Sequence, residues 1–202
     1  MFRMIKIVFN AFILVLAIIG FNAIGGQKYV EIVKENVTNF IQKHAQENMQ
    51  KIGNFSNLHE EFQIDNSVNL LGYKAVIAEH KASEQKMCII DSGKKALLTA
   101  SDIKNPDLEK QLQELANKVK YQSVSIHEIL VTSRGSLKIY GQTVPYAKFD
   151  AKANKLPFSD LSGIIASVKT SDGSEKLAIS LNEKKKYSQL IAEEFFKNVL
   201  EK

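Results

Sequence analysis

With 202 residues and 27 Lys plus Arg against 22 Asp plus Glu, the chain has a formal net charge of +5 at pH 7. That excess is slight and interspersed with acids, which is not the charge of a nucleic-acid-binding chain. The single cysteine, Cys88, excludes an internal disulfide, and the lack of Trp excludes sugar recognition by stacking on indole.

Residues Ile7 to Ile24 form the one long apolar run, between a cationic start (Arg3, Lys6) and the pair Gly25-Gly26. Two readings fit residues 1–25. A signal peptide has this layout, with Ala23 and Gly25 as the small residues before the cut. An uncleaved anchor fits as well, because residues 5–24 match the length that crosses a bilayer and the preceding charges hold the amino terminus inside. Either way the remainder is expected outside the cytosol, periplasmic or secreted, or tethered to the membrane. No cysteine stands directly after the run, so a lipid-modified cysteine is excluded.

Residues 26–52 carry Val30, Val33, Val37, Phe40, Ile41, His44 and Ile52 mostly at three- and four-residue steps. This spacing predicts an amphipathic helix packed on, or leading into, a globular domain at 53–202. Gly53 to Asn69 reads as a connection containing some strand. Leu71 to Ala78, Lys86 to Ile90 and Ala96 to Thr99 read as a meander with breaks at Lys81 to Gln85 and Asp91 to Lys94. Asn105-Pro106-Asp107 is a helix-start signal, and Leu108, Leu112, Leu115 and Val119 mark one face of the helix that follows.

Val124 to Val131 alternates as a strand, and Ser133-Arg134-Gly135-Ser136 reads as a turn before Leu137 to Gly141. Val144 to Ala151 follows, with Pro145 favouring an edge or a strand start. Gly163 to Thr170 and Lys176 to Asn182 flank Asp172-Gly173, a strong hairpin signal. Tyr187, Ile191, Phe195 and Val199, with Leu190, Ala192, Phe196 and Leu200 alongside, give a closing helix with a broad apolar stripe. The class expected is α+β: a mostly antiparallel sheet of about seven or eight strands covered by three amphipathic helices.

Residues 70–199 resemble the PsbP-like and DcrB-like domains. The resemblance rests on Ile139-Tyr140-Gly141-Gln142-Thr143-Val144, the Thr170 to Glu175 hairpin, and Tyr187 followed by Phe195-Phe196. It implies an antiparallel sheet between helices and a non-catalytic accessory protein of an envelope or membrane system. It carries no functional residue over.

The sequence holds no complete catalytic or metal-binding motif. His44, His59, His80 and His127 lack the paired helical spacing of zinc ligands, and His59-Glu60-Glu61 has no evident partner ligands. Gly93-Lys94-Lys95 lacks the upstream glycine of a phosphate loop, where Cys88 stands instead, and no serine has the flanking glycines of a nucleophile elbow. Cys88, within an apolar strand, is expected to be a buried inert thiol. Lys94-Lys95, Lys184-Lys185-Lys186, Glu60-Glu61 and Glu193-Glu194 read as solvated surface, and Asn36 and Asn54 begin glycosylation sequons.

No catalytic, cofactor-binding or metal-ligating residue is therefore assigned, and no cofactor. The leading expectation is an exported, non-enzymatic cell-envelope domain that binds a protein partner or membrane-associated assembly. An alternative is a carrier of a small apolar molecule or lipid between sheet and helix, among aromatics such as Tyr121, Tyr140, Tyr146, Phe149, Phe158 and Phe195. A third is an enzyme whose residues converge only in three dimensions. No nucleic acid is expected, and membrane contact only through residues 5–24 if they are retained.

Overall fold

The computed structural model describes residues 49–70, 73–91, 93, 96–117, 126–154 and 159–202. The apolar run, most of the expected amino-terminal helix with His44 and Asn36, and Lys94, Lys95, Tyr121 and Phe158 lie outside the described residues. Among the described residues seven strands form one sheet: β1 (Phe62–Leu70), β2 (Tyr73–His80), β3 (Gln85–Asp91), β4 (Ile126–Ile139), β5 (Gln142–Ala153), β6 (Asp160–Lys169) and β7 (Glu175–Glu183). Their order is β1-β2-β3-β7-β6-β5-β4, and every neighbouring pair is antiparallel. A three-strand meander and a four-strand meander thus join through β3 and β7.

Between the meanders the chain crosses one face of the sheet as α1 (Ala100–Lys104) and α2 (Leu108–Asn117), and α3 (Gln189–Asn198) closes the other face. The architecture is α+β, as the alternating strands and tight turns predict. The closing helix, Gln189–Asn198, is shorter than the stripe from Tyr187 to Leu200 that predicts it.

Alternation decides which face each side chain joins. Val76, Ala78, Met87, Ile89, Ile164, Ala166 and Ala178 meet Ile52, Phe195, Phe196 and Val199 in the core beneath α3. Ala75, Ile77, Cys88, Ile90, Ile165, Leu177 and Ile179 meet Ile103, Leu108 and Leu112 beneath α1 and α2. Phe195 and Phe196 are fully buried, ring to ring at 5.3 Å, and each adds roughly 2–3 kcal/mol by leaving water. Leu190, which the sequence places beside the stripe, is instead 76% exposed.

Two sequence expectations are corrected. Ala96 to Thr99 is not a strand: the Thr99 hydroxyl accepts from Asp102 N–H at 3.2 Å, and Asp102 accepts in return from Thr99 N–H at 2.8 Å. This reciprocal capping box turns the backbone into α1. Ser133 to Ser136 is not a turn either, because β4 runs unbroken from Ile126 to Ile139. Gly135 has another purpose, since a Cβ there would stand 2.8 Å from the Tyr146 ring that lies across it.

The hairpin turns fall where positive φ is supplied. Tyr140 (φ 53) and Gly141 (φ 74) join β4 to β5, and Gly173 (φ 81) serves the turn between β6 and β7. The helix start at Asn105 is also as expected: its side-chain oxygen accepts from Asp107 N–H at 2.9 Å. Pro145 lies inside β5, one residue before the pairing with β6 begins at Tyr146.

Candidate functional site

β4 is an outer strand, so one side of its backbone has no strand partner among the described residues. Bulges interrupt its register with β5 between His127 and Leu130 and between Val131 and Ser133. At those bulges α2 lies against the free side. Ile129 N–H donates to Gln113 Oε1 at 3.1 Å, and Val131 N–H donates to Glu109 Oε2 at 3.0 Å. The match is geometric: four residues of helix rise about 6 Å, and two residues of strand about 7 Å.

Beyond Val131 the cover by α2 stops among the described residues. Thr132, Ser133, Arg134, Gly135 and Ser136 are all exposed, and Leu130 beside them is 55% exposed. The Arg134 guanidinium, the charge best placed to guard this edge, is turned back to the Asn105 carbonyl at 3.0 Å. The result is a short polar edge with accessible backbone groups next to one exposed leucine.

The residues singled out in the sequence fall into separate places. His59 and His80 both approach Glu61, at 3.6 and 3.7 Å. His80 Nδ1 meets Ser83 Oγ at 2.9 Å, and its ring meets the Phe62 edge at 5.3 Å, so it packs as a structural residue. Among the described residues no group of three or more His, Cys, Asp or Glu side chains could hold a metal ion. Cys88 is buried on β3, where burial pushes its thiol far above the ordinary value. Phe149 and Phe195 pack in different clusters on opposite faces of the sheet, so they do not line one pocket. His127 and Glu128 sit at the start of β4, where Lys152, 2.6 Å from Glu128, holds that carboxyl below its usual range.

Several buried polar groups had no sequence signal. Gln85 is fully buried in β3; its Nε2 donates to Ser180 Oγ and to the Ser188 carbonyl, both at 2.9 Å, and its Oε1 accepts from Ser188 N–H at 2.8 Å. It fixes the start of α3, whose Ser188 makes no side-chain cap. Lys86 pairs with Asp65 at 2.7 Å and with Glu79 across the strand. The bulge between Ile64 and Asn66 is where Asp65 sits.

Lys176 Nζ donates to the Ile52 carbonyl at 3.0 Å and lies 5.3 Å from the Tyr140 ring centre, and the Tyr140 hydroxyl donates to the same carbonyl at 2.6 Å. Burial, the largest influence, holds the Lys176 ammonium below its usual value against the opposing pull of Asp91, Asp172 and Glu201. Burial raises the Tyr140 phenol strongly, so it stays a donor. Together these groups close the carbonyl end of helical residues 49–52, which a helix leaves open. Tyr187 is the exception: its buried hydroxyl has no partner among the described residues, although Lys148 Nζ lies 5.7 Å from its ring centre.

No family model matches the chain, and a comparison with curated proteins finds no match. Among the described residues, no helix is long and apolar enough to cross a membrane.

Proposed function

We propose that the chain is an exported, non-enzymatic α+β domain of the cell envelope that binds a protein partner, and that an extended segment of that partner pairs with the outer edge of β4 beyond Val131. The observation that carries this is the abrupt end of edge protection. Glu109 and Gln113 cap the free amides at Val131 and Ile129, and Arg134 is folded away, while Thr132 to Ser136 stay exposed beside Leu130. An added strand would satisfy those backbone groups, and Leu130 would give it an apolar contact. A non-catalytic role is supported by how the chemistry-bearing side chains are used: Gln85, Lys86, Lys176 and Tyr140 each hold one element to another. The apolar run at Ile7 to Ile24 and the resemblance to PsbP-like and DcrB-like domains point to the same compartment and class of role.

The test is photo-crosslinking in the host cell with a benzophenone residue at Thr132 or Ser136, against a control at Glu84 on the turn between β2 and β3. A discrete adduct from β4 and none from Glu84 is expected. Equal adducts from both positions, or none from β4 at native expression, would overturn the assignment.

A further inference from the structure

The two ends of the sheet use their lysines differently. At the end carrying the turn between β2 and β3, Lys152 pairs with Glu128 at 2.6 Å, Lys184 with Asp150 at 2.8 Å, and Lys186 with Glu84 and Glu183. Glu60, Glu61 and Asp160 stand exposed there as well. Lys81 there donates to the Glu60 carbonyl and Lys185 is exposed, so that end pairs most of its lysines and has acids to spare.

The opposite end gathers the turn between β4 and β5, the turn between β6 and β7, the first described residues and the last ones. Tyr140 N–H donates to Val199 O at 3.2 Å, Asn54 bridges Leu200, Ser171 donates to Glu201 Oε1, and Gln142 Nε2 donates to Lys169 O at 3.1 Å. Lys51, Lys138, Lys169, Lys197 and Lys202 are members or close neighbours of this contact set, so they share one end of the molecule. All five are exposed, and none is ion-paired with a described residue.

The carboxylates at this end face their own loops. Asp172 accepts from Thr170 and Ser174, Glu201 from Ser171, Glu175 from Ser167, and Asp91 from Gly93 N–H while it pairs with Lys74 at 3.8 Å.

We propose that this lysine-rimmed end seats on the anionic headgroups of a lipid bilayer. Spread, flexible ammonium groups suit a diffuse phosphate layer better than one fixed carboxylate partner. In the sequence, residues 49–52 at this end follow the apolar run at Ile7 to Ile24. A single apolar insertion is commonly joined by a second, electrostatic contact that fixes orientation on the surface. The proposal rests on export to a membrane-bounded compartment, and it holds whether or not the apolar run is retained.

The test uses the full chain with vesicles of phosphatidylcholine alone or phosphatidylcholine containing phosphatidylglycerol. A donor dye is placed at Gln142→Cys or, as control, at Glu84→Cys, and an acceptor in the headgroups; Cys88 is buried and escapes labelling. Energy transfer from position 142 should exceed that from 84 only with the anionic lipid, and the difference should vanish at high salt. For chains not held by the apolar run, Lys138→Glu/Lys169→Glu/Lys197→Glu should weaken binding to anionic vesicles on the order of a hundredfold. Equal transfer in both lipids, or no effect of the triple reversal, overturns the proposal while leaving the apolar tether standing. Release from neutral vesicles with retention on anionic ones refutes the tether and supports the lysine rim. Binding that needs an added acidic protein and ignores phosphatidylglycerol also overturns it.

Discussion

Gln85→Leu is the perturbation whose cost the structure defines most closely. Leucine fills a similar volume but removes every polar contact, leaving the Ser180 hydroxyl and Ser188 N–H without their partner. The Ser188 carbonyl keeps only a long contact with Ala192 N–H at 3.5 Å. Two orphaned buried groups at about 1–2 kcal/mol each, less about 1 kcal/mol returned by the more apolar side chain, give a net loss of about 2 kcal/mol. The sharper expectation concerns sign. Ser180→Ala alone strands one N–H of Gln85 and destabilises by about 1 kcal/mol, but in the Gln85→Leu background it removes an orphan hydroxyl and stabilises by a similar amount. The assay is urea unfolding of the four proteins followed by far-ultraviolet circular dichroism, since the chain has no Trp. If Ser180→Ala destabilises equally in both backgrounds, Gln85 is not what satisfies that hydroxyl, and the account of how α3 is fixed fails.

Gly163→Ala should destabilise by about 3 kcal/mol, because its Cβ would run into the Ser180 carbonyl oxygen of β7, a backbone atom that moves only if two strands part. Gly135→Ala meets only the Tyr146 ring and should cost less, so thermal melts ranking them in the reverse order would contradict the described packing. Cys88, buried with its thiol pushed up, should react with iodoacetamide only through unfolding, and rapid alkylation of the native chain would show that β3 is not covered as described. Asp172 is held down to about 2, first by Ser174 N–H and then by the Thr170 and Ser174 hydroxyls. Its stabilisation is therefore full above the unfolded carboxyl value of about 3.9 and lost as pH falls through about 2. Wild-type and Asp172→Asn stability curves should converge across that window, and curves that stay parallel would refute the role of the carboxylate.

The sequence by itself determined the class of fold, because alternation and turn chemistry are local. Leu177, Ile179 and Leu181 take one face of β7 and Ala178 and Ser180 the other, as their order along the chain requires. Asp172-Gly173 and Asn105-Pro106-Asp107 each carry their own backbone geometry, whereas the turn at Tyr140-Gly141 falls where the sequence reads the end of a strand. Ser133 to Ser136 shows where local reading ends: its composition says turn, but pairing with β5 keeps it extended, and Gly135 is small because the Tyr146 ring crosses it. Only the tertiary structure decided which strands lie at the edges, that Glu109 and Gln113 reach the backbone of β4, and that Lys51 and Lys202 share an end with Lys138. Those relations join residues far apart in the chain. They depend on strand order and on the path of α1 and α2 across one face, neither of which leaves a periodicity to read.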